Sequence, residues 1–163
     1  FKHHGGSAKP LREGKGTTYE GGQRVPCVMW GPGRIPAASE SAEIVSTLDL
    51  FPTIAALAGV EANSRGKIDG LDVSELMLGT GESPRSEFLY YSSRGALNGL
   101  RQGEWKLRVV KDKTELFHLK NDIGEKKNVA NANPEIVSAL SKRMKELDDE
   151  IAANVRPHGI FKP

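Results

Sequence analysis

The spacing of apolar residues changes along the chain, and each change predicts a different element. From Ser46 to Gly59, the residues Leu50, Ile54, Leu57 and Ala58 recur at helical spacing. Asp49 is placed to cap that helix, Pro52 falls in its first turn, and Gly59 suits the position just past its end. Before it, Arg24 to Trp30 is a short apolar run. It reads as a strand with Val25, Val28 and Trp30 on a buried sheet, and with Cys27 as a small core residue. From Glu87 onward the period shortens to two. Phe88–Tyr91, a hairpin of Leu97–Arg101 and Glu104–Val110 about Gln102-Gly103, and then Thr114–Leu119 predict an antiparallel sheet of about four strands. Trp105, Leu107 and Val109 alternate with Lys106 and Arg108, so one face should be buried and the other wet. After Asn133 the period lengthens again. Ile136, Leu140, Met144, Leu147 and Ile151 form one stripe of a long helix, with Asn133 as cap, Pro134 at its first position and Pro157 as its stop.

Between these elements lie breakers and connectors. Gly31-Pro32-Gly33-Arg34-Ile35-Pro36 interrupts the first strand. Glu61 to Pro84 has little periodicity beyond a short helix at Val73–Leu78 closed by Gly79. Asp69 and Asp72 in this connector lack the spacing and the closing glutamate of a calcium loop, so turn capping is their expected use.

Composition narrows the function classes. Hydrophobic residues make up 37% of the 163 positions and charged residues 27%, a polar balance that suits a piece whose apolar surface packs on something outside it. The net charge of +2 comes from interspersed signs, which argues against nucleic acid or an anionic membrane as partner. No apolar run reaches membrane-spanning length. A single cysteine forms no internal disulfide and leaves the redox compartment open. The sequence opens on Phe1, which is read as a processing boundary and tells nothing about targeting.

The densest chemistry lies in Leu11–Pro26, where four glycines, two acids and three bases fall together. Gly14 and Gly16 flank Lys15, so the backbone can turn tightly and leave the ammonium unobstructed as a point charge for an anion. Gly21-Gly22 makes a second bend leading into the strand at Arg24. Taken by itself the stretch reads first as an ordinary surface turn, ahead of an anion site. A nucleotide-binding P-loop is excluded, because Gly16 follows Gly14-Lys15 and Lys9 stands where the first glycine belongs. His3 and His4 are adjacent and have no third ligand at suitable spacing, so no metal site is assigned.

The segment Leu11-Arg12-Glu13-Gly14-Lys15-Gly16-Thr17-Thr18-Tyr19-Glu20-Gly21-Gly22-Gln23-Arg24-Val25-Pro26 resembles the formylglycine-dependent sulfatases of the arylsulfatase type, members of the alkaline-phosphatase-like superfamily. Further likeness runs in order through Trp30–Pro36, Leu48–Gly59, Ile68–Val73, Leu100-Arg101, Trp105–Leu107 and Glu115–Leu119. Asn121–Asn131 is similar to the family's Asp-Pro-x-Glu-x-x-Asn-Leu turn, with Ile123 in place of proline.

The resemblance implies an α/β fold in which this chain is the C-terminal third. Residues 1–84 would be the end of the large α/β domain, and 85–163 a small subdomain of antiparallel strands packed by the long helix. It implies hydrolysis of sulfate esters, small-molecule or glycan, in the parent enzyme. Lys15 would contact the sulfate, Arg12 would add positive potential at the rim, and His4 would lie at the pocket mouth. Glu20 and Arg24 would brace the loop. The family's nucleophile motif, Cys/Ser-x-Pro-x-Arg, is absent here: Cys27 follows Pro26, and Ser83-Pro84-Arg85 lacks the spacer. The calcium ligands of the family are likewise expected outside this chain, so the chain by itself should be inactive. A periplasmic, secreted or lysosomal location follows from the same resemblance. Two other readings stay open: a phosphate or phosphonate ester hydrolase of the superfamily, and a non-catalytic binding or scaffold module.

Overall fold

A computed structural model of the chain describes residues 6–62 and 67–155. The expected stop at Pro157 and the residues His3 and His4 lie outside them. The described residues form two compact units, one made of those up to Gln23 together with those from Leu89 onward, the other running from Arg24 to Phe88.

That sheet has strands β1 (Glu87–Tyr91), β2 (Leu97–Gln102), β3 (Trp105–Val110) and β4 (Lys113–His118), ordered as in sequence. β2 and β3 pair antiparallel with Leu100 opposite Leu107, and β3 pairs β4 with Leu107 opposite Leu116. Asn98-Gly99 lies inside β2 despite being a strong turn dipeptide. The reversal falls at Gly103, whose φ of 55° favours glycine. Leu100, Leu107 and Leu116 are fully buried under helix α4 (Pro134–Ala153), which lays Ile136, Val137, Leu140, Met144 and Leu147 against them. Ile151, expected in the same stripe, is 44% exposed near the helix end. Asn133 does not cap α4 with its side chain. Its amide turns back to donate to the Val129 carbonyl at 2.9 Å.

The opposite face of the sheet is not wet, as the alternation alone suggests. Lys106 has no exposed surface, and Glu115 and Phe117 beside it are buried. Tyr19, packed with Phe117, Leu119 and Ile123, closes over this side. A two-residue period identifies which residues share a face; it says nothing about a distant segment returning to cover that face.

The unit from Arg24 to Phe88 is built on turns and short helices. Thr47–Asp49 forms a 3-10 turn capped by Ser46, with the Asp49 carboxylate accepting the Ser46 N–H at 2.7 Å to complete a capping box. Helix α2 (Leu50–Leu57) follows directly, and Gly59 beyond it has φ 72°. Ser46 is therefore the capping side chain that Asp49 was expected to be. Helix α3 (Ser74–Leu78) ends on Gly79 in the left-handed conformation, as its sequence implies. Asp72 accepts the Ser74 N–H at 2.8 Å, the turn-capping use expected of it. Asp49 has no exposed surface and holds the Arg85 guanidinium through both oxygens, while Thr53 receives the Val73 N–H at 3.0 Å.

The strand expected at Arg24–Trp30 does not form. Val25, Val28 and Trp30 are 71%, 93% and 87% exposed, and Cys27 is exposed as well. A strand needs a neighbouring ladder, Pro26 supplies no N–H to one, and the described part of this segment pairs with none.

Candidate functional site

The loop around Lys15 is rooted by glycines and a buried carboxylate. The Thr17 N–H and hydroxyl both donate to the Gly14 carbonyl, at 3.2 and 3.0 Å, closing a tight turn beneath Lys15. Gly16 takes φ 94°, a conformation costly for any residue with a Cβ. Gly21-Gly22 is not a bend into a strand; it lies in a single helical turn, α1 (Glu20–Gln23). A Cβ on Gly21 would run into the carbonyl oxygens of Arg12 and Glu13, and one on Gly22 into that of Thr17. That close approach lets the Gly21 N–H donate to the Arg12 carbonyl at 2.9 Å and the Gln23 amide to the Thr17 carbonyl at 3.0 Å. The turn bearing Lys15 is thus tied down on both sides.

Beneath it sits a buried ionic cluster. Lys106 Nζ lies 2.8 Å from Glu20 Oε1 and 2.9 Å from Glu125 Oε1. Glu125 Oε2 accepts the Glu20 N–H at 2.7 Å, and the Tyr90 hydroxyl donates to Glu20 Oε1 at 2.9 Å. The ammonium also stands 4.2 Å from the centre of the Tyr90 ring. One lysine faces two carboxylates. Burial opposes ionisation of Glu20, yet Lys106 and the Tyr90 hydroxyl outweigh it and hold its carboxyl below the usual range. At Glu125 burial wins, and its carboxyl is raised in spite of Lys106.

A second group continues the cluster outward. The Tyr19 ring lies between the guanidiniums of Arg12 and Arg108, 4.0 and 4.1 Å from its centre. Its hydroxyl donates to Glu115 Oε2 at 2.8 Å, and Arg108 Nη1 reaches the same oxygen at 2.7 Å. Burial would raise Glu115, but bonds from Lys113, Tyr19 and Arg108 hold it below its ordinary value.

Among the residues expected at the site, Lys15 is exposed on the tied-down turn. Arg12 is partly buried, stacked on Tyr19 and donating from Nη1 to the Glu125 carbonyl at 2.8 Å. It also lines an open concavity of about 800 Å³ with Lys9, Pro10, Leu11, Gly124, Glu125 and Lys126, a set that does not include Lys15. Glu20 does brace the loop, with Lys106 and Tyr90 as its buried partners. Lys106, Tyr90, Glu115 and Glu125 escape sequence reasoning because each looks like a solvated or structural strand or turn residue. The available signal was a lysine between Trp105 and Leu107 in a chain whose loop also carries an acid among glycines. Among the described residues no three His, Cys, Asp or Glu side chains converge to hold a metal ion. None of the described helices is long and apolar enough to cross a membrane.

Comparison with known proteins gives this loop its context. Residues 1–60 match the sulfatase family model. Human arylsulfatase A is 38% identical over 93% of this chain, and the bovine protein 36% identical over 89%. The solved structure of Ps i-CgsB in complex with k-i-k-neocarrahexaose superimposes with a TM-score of 0.76 at 29% identity, over 94% of this chain and 34% of that one. The chain spans about a third of the length of these curated relatives, 34% and 35%. It is a sulfatase relative that corresponds to the C-terminal portion of such an enzyme, with an α/β fold of that family.

Proposed function

We propose, with this kinship to the sulfatases as premise, that the whole protein hydrolyses sulfate esters and that Lys15 contacts the sulfate. The observation that carries the reading is a division of labour among the cations of one loop and its seat. Lys106 and Arg108 are committed to buried carboxylates and Arg12 to a carbonyl and a ring, whereas Lys15 is held out on a glycine-flanked turn. Cleavage of a sulfate ester moves negative charge onto the leaving oxygen, and a fixed ammonium beside the sulfate oxygens stabilises that shift most when it needs no reorganisation. Arg12, beneath the loop, adds positive potential to the same region. In the whole enzyme, residues 1–84 complete a larger α/β domain and 85–163 form the small one. Calcium would polarise, and a formylglycine would supply, the attacking group from outside this chain. The substrate is a sulfate ester of a small molecule or a glycan.

The test is Lys15→Ala in the full-length enzyme with an aryl sulfate. Removing one well-placed charge-stabilising group should lower kcat/KM about 100- to 1,000-fold. The Tm should move by no more than about 2 °C, since the side chain is exposed. Retained activity would refute the contact. The same assay on the 163-residue chain should match a buffer blank, and genuine turnover there would refute the dependence on groups outside it.

A further inference from the structure

We propose that Lys106 is a positioning residue for Lys15, acting through Glu20 and Glu125 from beneath the loop; this rests on the reading of Lys15 as the sulfate contact. Lys106 is the second residue of β3, fully buried and far in sequence from the loop. Its ammonium joins the two carboxylates at 2.8 and 2.9 Å. Glu125 in turn fixes the first residue of α1 by accepting the Glu20 N–H at 2.7 Å, and its carbonyl accepts Arg12 Nη1 at 2.8 Å. Glu20 and Arg12 are the two anchor points from which the Lys15 turn springs, because α1 is bonded back to the Arg12 and Thr17 carbonyls. The turn itself, residues 13–17, buries no apolar side chain: Glu13, Lys15 and Gly16 are exposed and Thr17 is only partly buried, and its nearest apolar anchor is Tyr19, packed on Phe117 and Leu119 beside Glu20. Its placement is therefore shared between the Tyr19 ring and one buried ammonium acting through two carboxylates. Displacement of a reacting-site group by about 1 Å can cost on the order of 100-fold in rate, so a loosened seat should register at Lys15 without any contact between Lys106 and substrate.

The experiment is a double-mutant cycle in the full-length enzyme using Lys15→Ala, Lys106→Met and the pair together, with kcat and KM measured on an aryl sulfate and normalised to folded protein. Amide exchange of residues 14–18 is followed beside it. Lys106→Met should lower kcat/KM about 30-fold in the parent background and less than about 3-fold when Lys15 is already alanine, because the effect passes through that ammonium. Exchange at residues 14–18 should quicken while β2 and β3 stay protected. If Lys106→Met does not fold, Tyr90→Phe replaces it. That change removes one donor from Glu20 while leaving the ion pair, and it should lower kcat/KM about 3-fold in the parent and not at all beside Lys15→Ala. Losses that multiply in the double variant, or unchanged activity and exchange in the single one, overturn the positioning role and leave the Lys15 contact standing. Full activity in Lys15→Ala overturns both.

Discussion

In the sheet unit Leu100, Leu107 and Leu116 have no exposed surface, whereas between Arg24 and Phe88 the side chains of Val25, Val28, Trp30, Phe51 and Ile54 are more than half exposed. The residue types are alike; the layers are not. The sheet carries α4 on one face and the Lys15 loop on the other, so its apolar and its ionic groups both find cover within the chain. The other unit has polar pins instead of a second layer: Arg85 on Asp49, Val73 on Thr53, and the Ser46 capping box. Hydrophobicity in a sequence marks what can be buried, and burial itself needs a surface to receive it.

This contrast can be attacked at three points. Leu107→Ala should destabilise the sheet unit most, by about 2–5 kcal/mol in a denaturant melt, since it opens a cavity at the junction of three strands and a helix. A loss below about 1 kcal/mol would show that the core is not closed.

Asp49→Asn should cost the Arg24–Phe88 unit about 2 kcal/mol, the scale of a hydrogen bond to a charged group, read from amide exchange at Val73 and Leu71. The same carboxylate sets a pH dependence. Burial would raise it, but Arg85 and the Leu71 and Ser46 N–H groups hold it below its ordinary value. Its contribution is therefore complete above the unfolded value of about 4 and fades as pH falls through the lowered one. Exchange at Val73 that ignores acid would contradict this.

The smallest effect is expected of Trp30→Ser, within about 0.5 kcal/mol for the chain alone, because its side chain stands in solvent. In the full-length protein the same change should cost several times more if the run is covered there. A large cost in the isolated chain would mean that Trp30 already has a partner, and the contrast between units would fail.

Much of the fold was legible in the sequence. The four strands, the reversal at Gly103, the stop of α3 at Gly79 and the stripe of α4 follow from local periodicity and turn chemistry. Arg24–Trp30 was not, since pairing is a property of two segments and the run itself declares only its own appetite for burial. Lys106 was misjudged for the converse reason: an alternating strand announces one apolar face, and the loop that covers the other lies more than eighty positions away. Lys15 was singled out by its flanking glycines, while the carboxylates and the phenol beneath its turn carry no local mark.

The tyrosines of this chain share a consequence. Tyr19, Tyr90 and Tyr91 are its full complement, and each donates its hydroxyl to a carboxylate: Glu115, Glu20 and Asp148. Burial and that acceptor raise all three, Tyr91 to about 12. The neutral phenols stabilise the fold fully below about pH 10, and that support drains away as alkali climbs through the raised values. The ultraviolet band of phenolate is thereby muted in the native protein near pH 10 and develops as the protein opens, an intrinsic optical gauge of whether the loop and the long helix remain docked on their sheet.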